Sequence, residues 1–394
     1  MVLVFLLALG IRGVWIAGQE SLISPTNGLT YPDERQYWAI AESIAARRGL
    51  VDEFGYRATF MPGYPAFLAL FATHAHGLLL ARVAQAVVGA AAVVPIYRIG
   101  RRVAGERAAT LAALLVALDP FLVAASSLIL TETIYTTLLC LGMLAAWPTA
   151  WSESRRVWLR AVVAGVVLAA GVYVRPSGAG FVIVWLIAGR LLTGRMGRGA
   201  AAMAAFGVFL FCLAPWAARN RAVIGEWRWL TTRSGISLYD GLGPRATGQS
   251  DLAYTRTPEA QRMSEVEWDR HWARESWRIA REDPARVARL AWAKLRRTWS
   301  FVPNEPASRT PFKMAVSAVW MIGVLTLAGI GLWRLRRGKI ALLLLLPAIY
   351  FTVLHMVYVG SVRYRVPVMP AIYVLSGCAT VCRRAAPPPE VTHG

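Results

Sequence analysis

The chain reads as long apolar stretches cut by short polar connections. Residues 314–333 and 340–359, for example, are almost wholly apolar. About twenty such residues suffice to cross the roughly 30 Å hydrocarbon core of a bilayer at about 1.5 Å of rise per residue. The same pattern predicts ten spans, at about 2–18, 78–98, 107–124, 127–147, 158–174, 178–193, 199–217, 314–333, 340–359 and 366–382. The first is not expected to be a cleaved signal, because Arg12 interrupts it and it has neither a basic start nor an Ala-x-Ala exit.

Two connections are long, 19–77 and 218–313, and their period changes to that of surface helices. Over 33–46, Tyr37, Ile40, Ala41, Ile44 and Ala45 recur at helical spacing. Residues 265–279 are rich in Trp, and over 283–301 Val287, Leu290, Ala291, Leu295 and Trp299 form an apolar stripe between arginines. Asp283 suits the cap of that helix and Pro284 its first turn. The expected fold is an all-α integral membrane protein: about ten transmembrane helices, with two long extracytoplasmic loops containing amphipathic interfacial helices. A single polytopic domain is expected over 1–384, followed by a disordered tail at 385–394 with three consecutive prolines. No internal repeat is visible, which weighs against transporters built from inverted halves.

Composition agrees. Of 394 residues, 56% are hydrophobic and 16% charged, with mean hydropathy +0.46; a soluble domain carries about a quarter charged residues. The net charge of +21 is gathered in alternate connections. Arg98, Arg101, Arg102 and Arg107 flank the second and third spans, and Arg155, Arg156 and Arg160 separate the fourth and fifth. Arg190, Arg195 and Arg198 follow the sixth, Arg334, Arg336, Arg337 and Lys339 the eighth, and Arg383 and Arg384 the last. This is the signature of cytoplasmic loops against an anionic leaflet, not of a nucleic-acid partner. Both termini are therefore expected in the cytoplasm and both long loops outside. Cys140, Cys212, Cys378 and Cys382 all fall within spans, without His partners, and read as small apolar fillers.

Candidate chemistry gathers on the outer side. Tyr31-Pro-Asp-Glu-Arg-Gln-Tyr-Trp38 places Asp33 and Glu34 just beyond the first span; Asp33 either caps a helix or serves an acid–base role. Glu132, in Thr131-Glu-Thr-Ile-Tyr135, puts a carboxylate in a span at a cost on the order of 2.5–3.5 kcal/mol, which marks a site more often than not. In Gly360-Ser-Val-Arg-Tyr-Arg-Val-Pro-Val-Met-Pro370, Arg363 and Arg365 flank Tyr364 on the side that positive-inside statistics disfavour. Such guanidiniums want an anion, and phosphate is the natural one. Arg57, Arg175 and Arg219 lie on the same side. His74 and His76 read as interfacial residues, His355 as hydrogen-bonded within the bundle. Walker, Rossmann, Gly-x-Ser-x-Gly and His-Glu-x-x-His patterns are lacking, which argues against a motor ATPase and against a soluble nucleotide sugar.

These residues resemble the C-type membrane glycosyltransferase superfamily, in particular its protein O-mannosyltransferase and lipid A aminoarabinose transferase group. The resemblance rests on Asp33-Glu-Arg-Gln-Tyr37, Leu130-Thr-Glu-Thr-Ile134, Arg175-Pro, Ala214-Pro-Trp-Ala-Ala-Arg-Asn220, Leu238-Tyr-Asp-Gly-Leu-Gly-Pro244 and Arg363-Tyr-Arg-Val-Pro-Val-Met-Pro370, in family order over nearly the whole chain. Many members have more spans, so neither sugar nor acceptor carries over. The resemblance implies a polyprenyl-phosphate sugar donor, its tail in a groove between spans, and an acceptor that is protein, lipid or glycan. It implies work on the extracytoplasmic face of the plasma or inner membrane, among membrane lipids and without nucleic acid.

On this reading Asp33 is the general base, assisted by Glu34, and Glu132 stabilises an oxocarbenium-like centre. Arg363, Tyr364, Arg365, Arg57 and Arg175 bind the donor phosphate. A divalent cation, Mg2+ or Mn2+, bridging Asp33 and the phosphate stays open. The alternatives are a transporter or flippase for a lipid-linked envelope precursor, or a non-catalytic subunit of an envelope-assembly complex.

Overall fold

The computed structural model describes residues 1–20, 28–147, 156–193, 197–257, 262–305, 308–335 and 338–380, and among them all regular structure is helical. Arg155, Arg195, Arg336, Arg337, Cys382, Arg383, Arg384 and the expected disordered tail lie outside the described residues.

In chain order the helices are α1 (Val2–Glu20), α2 (Pro32–Ala45), α3 (Gly63–Ala69), α4 (Gly77–Ala91), α5 (Val93–Ala104), α6 (Glu106–Leu118), α7 (Pro120–Ala125), α8 (Glu132–Ala145) and α9 (Val157–Val174). They continue as α10 (Ala179–Thr193), α11 (Gly197–Ile224), α12 (Ser234–Leu242), α13 (Glu265–Glu282), α14 (Pro284–Thr298), α15 (Pro311–Leu335), α16 (Gly338–Val357), α17 (Val362–Arg365) and α18 (Met369–Gly377). Among the described residues six runs are long and apolar enough to cross a membrane: Val2–Gln19, Gly77–Ala104, Val157–Val174, Gly199–Ile224, Pro311–Leu335 and Gly338–Val357.

The four other expected spans hold shorter helices, and the chain itself supplies the breaks. Over 107–124, Asp119 turns extended and its carboxylate accepts from the Phe121 amide at 2.7 Å and the Leu122 amide at 3.3 Å, with Pro120 opening α7. Over 127–147, helix begins only at Glu132. Pro176 separates α9 from α10 through a short 3-10 turn, and Pro367 lies in a like turn before α18, whose first turn holds Pro370.

All of α18 is buried, and it packs against α5, α6, α15 and α16. Small residues permit that closeness: a side chain on Gly377 would strike the Ala108 carbonyl, and one on Gly331 the Leu375 carbonyl. Around this centre α1 lies on α4 and α6, and α9 on α8 and α11. The outward faces stay apolar, as lipid contact requires: Leu3, Val14, Leu159, Phe211, Val319 and Val353 are all exposed.

The long connections are structured. Ser264 caps α13, its hydroxyl accepting from the Glu267 amide, and Asp283 caps α14, accepting from the Arg286 amide at 2.8 Å. Helix α13 packs on α12 through Trp268, Trp272 and Ile236, which gather Phe54, Tyr56, Tyr239 and Tyr254 around them. Glu265 then ties the two connections together, accepting from the amides of Arg57 at 3.1 Å and Ala58 at 2.9 Å.

Candidate active site

The site begins at the first turn of α2. Pro32 opens the helix, and Glu34, fully buried, lies three residues past its cap. One Glu34 oxygen accepts from the Thr30 amide at 2.8 Å and the Tyr31 amide at 2.9 Å; the other accepts from the Ile129 amide at 2.8 Å. This carboxylate therefore fastens the entry of α2 to the turn before α8, which brings Asp33 beside Glu132. The expectation that Glu34 assists Asp33 chemically meets a different arrangement, because both its oxygens are spent on backbone N–H groups.

The third member arrives on α17. Ser361 and Asn304 hold that helix's start; the Asn304 side-chain oxygen accepts from the Val362 amide at 2.6 Å. From there Arg363 bridges the two acids: Nη2 meets Asp33 Oδ2 at 3.2 Å and Nε meets Glu132 Oε1 at 3.1 Å. Burial pulls the Arg363 guanidinium down, but the charges of Glu132 and Asp33 outweigh it and hold the group well above its ordinary value.

Arg175 completes the cluster. The proline after it favours extended backbone, and Arg175 leaves α9 that way. Its Nη1 reaches Glu132 Oε1 at 3.2 Å and Thr131 Oγ1 at 3.1 Å, and its Nε reaches Ser177 Oγ at 3.3 Å. Glu132 Oε2, buried, has no hydrogen-bond partner among the described residues. Tyr364 is the floor: it stacks on His355 at 4.0 Å and 6°, with the Arg175 guanidinium 5.2 Å from its centroid and that of Arg363 6.0 Å. Tyr31 covers Arg363 at 5.7 Å. Exposure grades across the cluster, from 3% for Glu132 to 39% for Asp33, so Asp33 stands at the mouth.

The structure thus brings together Asp33, Glu132, Arg175, Arg363 and Tyr364, and leaves Glu34, Arg57 and Arg365 apart from them. Arg365 is buried; its guanidinium donates to the carbonyls of Thr298, at 3.2 Å, and Ser300, and lies 4.7 Å from the Phe121 ring. Arg57 is exposed, and its carbonyl accepts from Arg219 at 2.7 Å. Tyr31, Thr131, Ser177 and His355 belong to the cluster although the sequence did not single them out for it. Tyr31 and Thr131 adjoin the acids in the chain and were within reach of that argument; the His355–Tyr364 stack had no sequence signal.

Among the described residues no three His, Cys, Asp or Glu side chains come together as ligands. Asp33 and Glu132 are both engaged by Arg363, and a dication between them would have to displace that guanidinium against the repulsion of Arg175.

Comparisons with known proteins follow this geometry. The sequence model of the dolichyl-phosphate-mannose-protein mannosyltransferase family matches residues 61–219. No curated protein matches the chain by sequence. Among solved structures, the apo oligosaccharyltransferase of Archaeoglobus fulgidus superposes with TM-score 0.59 at 16% identity, over 95% of this chain and 50% of that one. The same enzyme, AglB, in complex with an inhibitory peptide and a dolichol-phosphate gives TM-score 0.55 at 16% identity, again over 95% and 50%. ArnT from Cupriavidus metallidurans bound to undecaprenyl phosphate aligns over 95% of this chain and 77% of that one at 15% identity, but with TM-score 0.47 the superposition is too loose to carry an argument. The chain spans about half the length of the archaeal structures it matches. A stretch of mannosyltransferase-like sequence over 61–219 thus lies within a helical fold that the chain shares with the archaeal oligosaccharyltransferase.

Proposed function

We propose that the chain is a membrane glycosyltransferase that moves a sugar from a polyprenyl-phosphate donor to an acceptor on the extracytoplasmic face of the plasma or inner membrane. The observation that carries this reading is the bridge of Arg363 between Asp33 and Glu132. It leaves a guanidinium ready for phosphate beside a carboxylate ready for a proton. The dolichol-phosphate seen with the archaeal oligosaccharyltransferase supports a polyprenyl carrier. The arginines between apolar runs support ten spans in one domain over 1–384, with both termini in the cytoplasm.

In the reaction the donor phosphate competes with Asp33 for Arg363. The donor phosphodiester carries one negative charge, as a carboxylate does, but it offers two oxygens to a guanidinium fork where Asp33 Oδ2 meets Nη2 alone, so its arrival draws Arg363 away and frees Asp33. Asp33 takes the proton of the acceptor hydroxyl as the acceptor oxygen attacks the anomeric carbon. The bond from that carbon to the phosphate oxygen breaks, and its electron pair leaves on phosphate, an anion held by Arg363 and Arg175 on the Tyr364 floor. Because the leaving group is already a stable anion, no general acid is needed. Glu132 fixes both arginines and offers negative charge to the oxocarbenium-like centre. A single displacement inverts the anomeric carbon. Glu34 and Arg365 position the groups that react, by fastening α2 to α8 and α17 to α14.

The test is sugar transfer from a polyprenyl-phosphate donor by purified protein in detergent. Asp33→Asn is expected to cut turnover by about 10²–10⁴-fold, with donor affinity kept or raised because Arg363 loses a competing anion. Turnover near wild type in folded protein removes Asp33 from this role.

A further inference from the structure

Among the described residues, Arg233 is a cation near the cluster that makes no ion pair. Arg233, half-buried, stands at the cap position before α12, where the Thr232 amide donates to the Ala58 carbonyl at 3.0 Å. Its guanidinium lies 4.6 Å from the Phe60 ring centroid, and its Nη1 donates to Gln36 Oε1 at 3.2 Å. Gln36 follows Asp33 by three positions on α2, so the two share a face within about one turn, 5.4 Å along the axis. Tyr37, one residue on, packs edge-on against Phe60 at 5.2 Å. Its hydroxyl is within electrostatic reach of Asp33, Arg175 and Glu132, and of Arg233 as well. Arg363 and Arg233 thus serve successive turns of one helix face.

The carboxylates around Arg233 are occupied elsewhere. Asp52 accepts from the amides of Phe54 and Tyr56, each at 2.9 Å, and from Thr59 Oγ1 at 2.7 Å. Asp240 accepts from Ser250 Oγ at 2.6 Å and the Asp251 amide at 2.7 Å. Asp269 pairs with Arg228 at 3.2 Å. Glu53 accepts at 2.8 Å from Gln36 Nε2, so the amide stands between that acid and Arg233. A half-buried guanidinium held on an aromatic face, with an amide oxygen as its only hydrogen-bond partner among the described residues, suits an incoming anion.

We propose that Arg233, with Gln36, forms a second anion subsite in the same cleft, for a phosphate beside the one that Arg363 takes. This rests on the donor-phosphate reading above. The second phosphate has two sources, the other phosphate of a polyprenyl diphosphate donor or a phosphoryl group borne by the acceptor.

Calorimetric titration of the full chain in detergent separates them with farnesyl phosphate, farnesyl diphosphate and inorganic phosphate as probes. For a diphosphate donor, wild type binds farnesyl diphosphate about tenfold or more tighter than farnesyl phosphate, and Arg233→Ala abolishes that preference. For an acceptor phosphate, inorganic phosphate binds protein already saturated with farnesyl phosphate, and Arg233→Ala removes this binding. In both cases farnesyl phosphate affinity is unchanged by Arg233→Ala, and Arg233→Lys recovers part of the lost binding. Should Arg233→Ala not fold, Gln36→Leu serves as the second variant, with the same losses in smaller measure. The proposal is overturned if neither probe binds wild type as described, or if the variants bind them as wild type does. Failure of the donor-phosphate reading shows separately, as farnesyl phosphate affinity that survives Arg363→Ala.

Discussion

Side chains two positions apart on a helix point about 200° apart around its axis. Arg363 and Arg365 on α17 obey that rule: one meets Asp33 and Glu132, the other the carbonyls of Thr298 and Ser300. The sequence made both conspicuous, as cations that the positive-inside pattern assigns to the side where cations are rare, but residue type alone does not separate the proposed phosphate ligand from the clamp. Arg365→Ala is therefore expected to lower thermal stability by about 1–3 kcal/mol, more than Arg363→Ala does, as read from melting in detergent. The adjacent acids divide in the same way. Asp33 and Glu34 are chemically alike, and only the fold reveals that Glu34 accepts three amides while Asp33 stays at the mouth. Glu34→Gln sets an amide nitrogen against a backbone N–H, at a cost of about 1–3 kcal/mol. Asp33→Asn is expected to leave melting near wild type, and a larger drop for Asp33→Asn than for Glu34→Gln contradicts this division. Glu132 was legible because a carboxylate among apolar residues has to be held by something; its partners, Arg175 and Arg363, lie far along the chain.

At the scale of elements, helices written by local rules were easy to read. Asp283 and Pro284 start α14, and the apolar stripe over 283–301 runs as a helix to Thr298. Breaks inside apolar runs were harder. Asp119-Pro120 splits one expected span into α6 and α7, and hydropathy averages over such a pair because the residues around it remain apolar. Helix α14 also buries Lys294, whose ammonium donates to the Val357 carbonyl at 2.7 Å. Burial foremost, opposed by Asp240 and aided by Arg286, draws Lys294 down to about 8 from its ordinary 10.5. Between those values the unfolded chain holds more protons than the native one, so this group makes stability rise with pH. Below about 8 both states carry the charge, and the native state bears its desolvation. Lys294→Met is expected to flatten the rise between pH 8 and 10, measured by melting across that range. An unchanged slope contradicts the assignment.

For the molecule as a whole, the class of fold was written in length and hydropathy, while the arginines carry an expectation of sidedness. What pattern could not supply was convergence: the turn before α8, the exit of α9 and the short α17, far apart in the chain, meet around Glu132. The topology has its own check. In a chain whose cysteines are replaced by alanine, an impermeant thiol reagent applied to intact cells is expected to label Trp277→Cys and spare Arg107→Cys, both exposed positions. The reverse pattern would invert the orientation and put the site on the cytoplasmic face.

The most direct measurement is the affinity of farnesyl phosphate for purified wild type and Arg363→Ala. Loss of a charge-assisted fork predicts about 10- to 150-fold weaker binding in the variant, with melting showing that it remains folded. Equal affinity in the two proteins would contradict the account, since Arg363 would then not be the group that receives the donor.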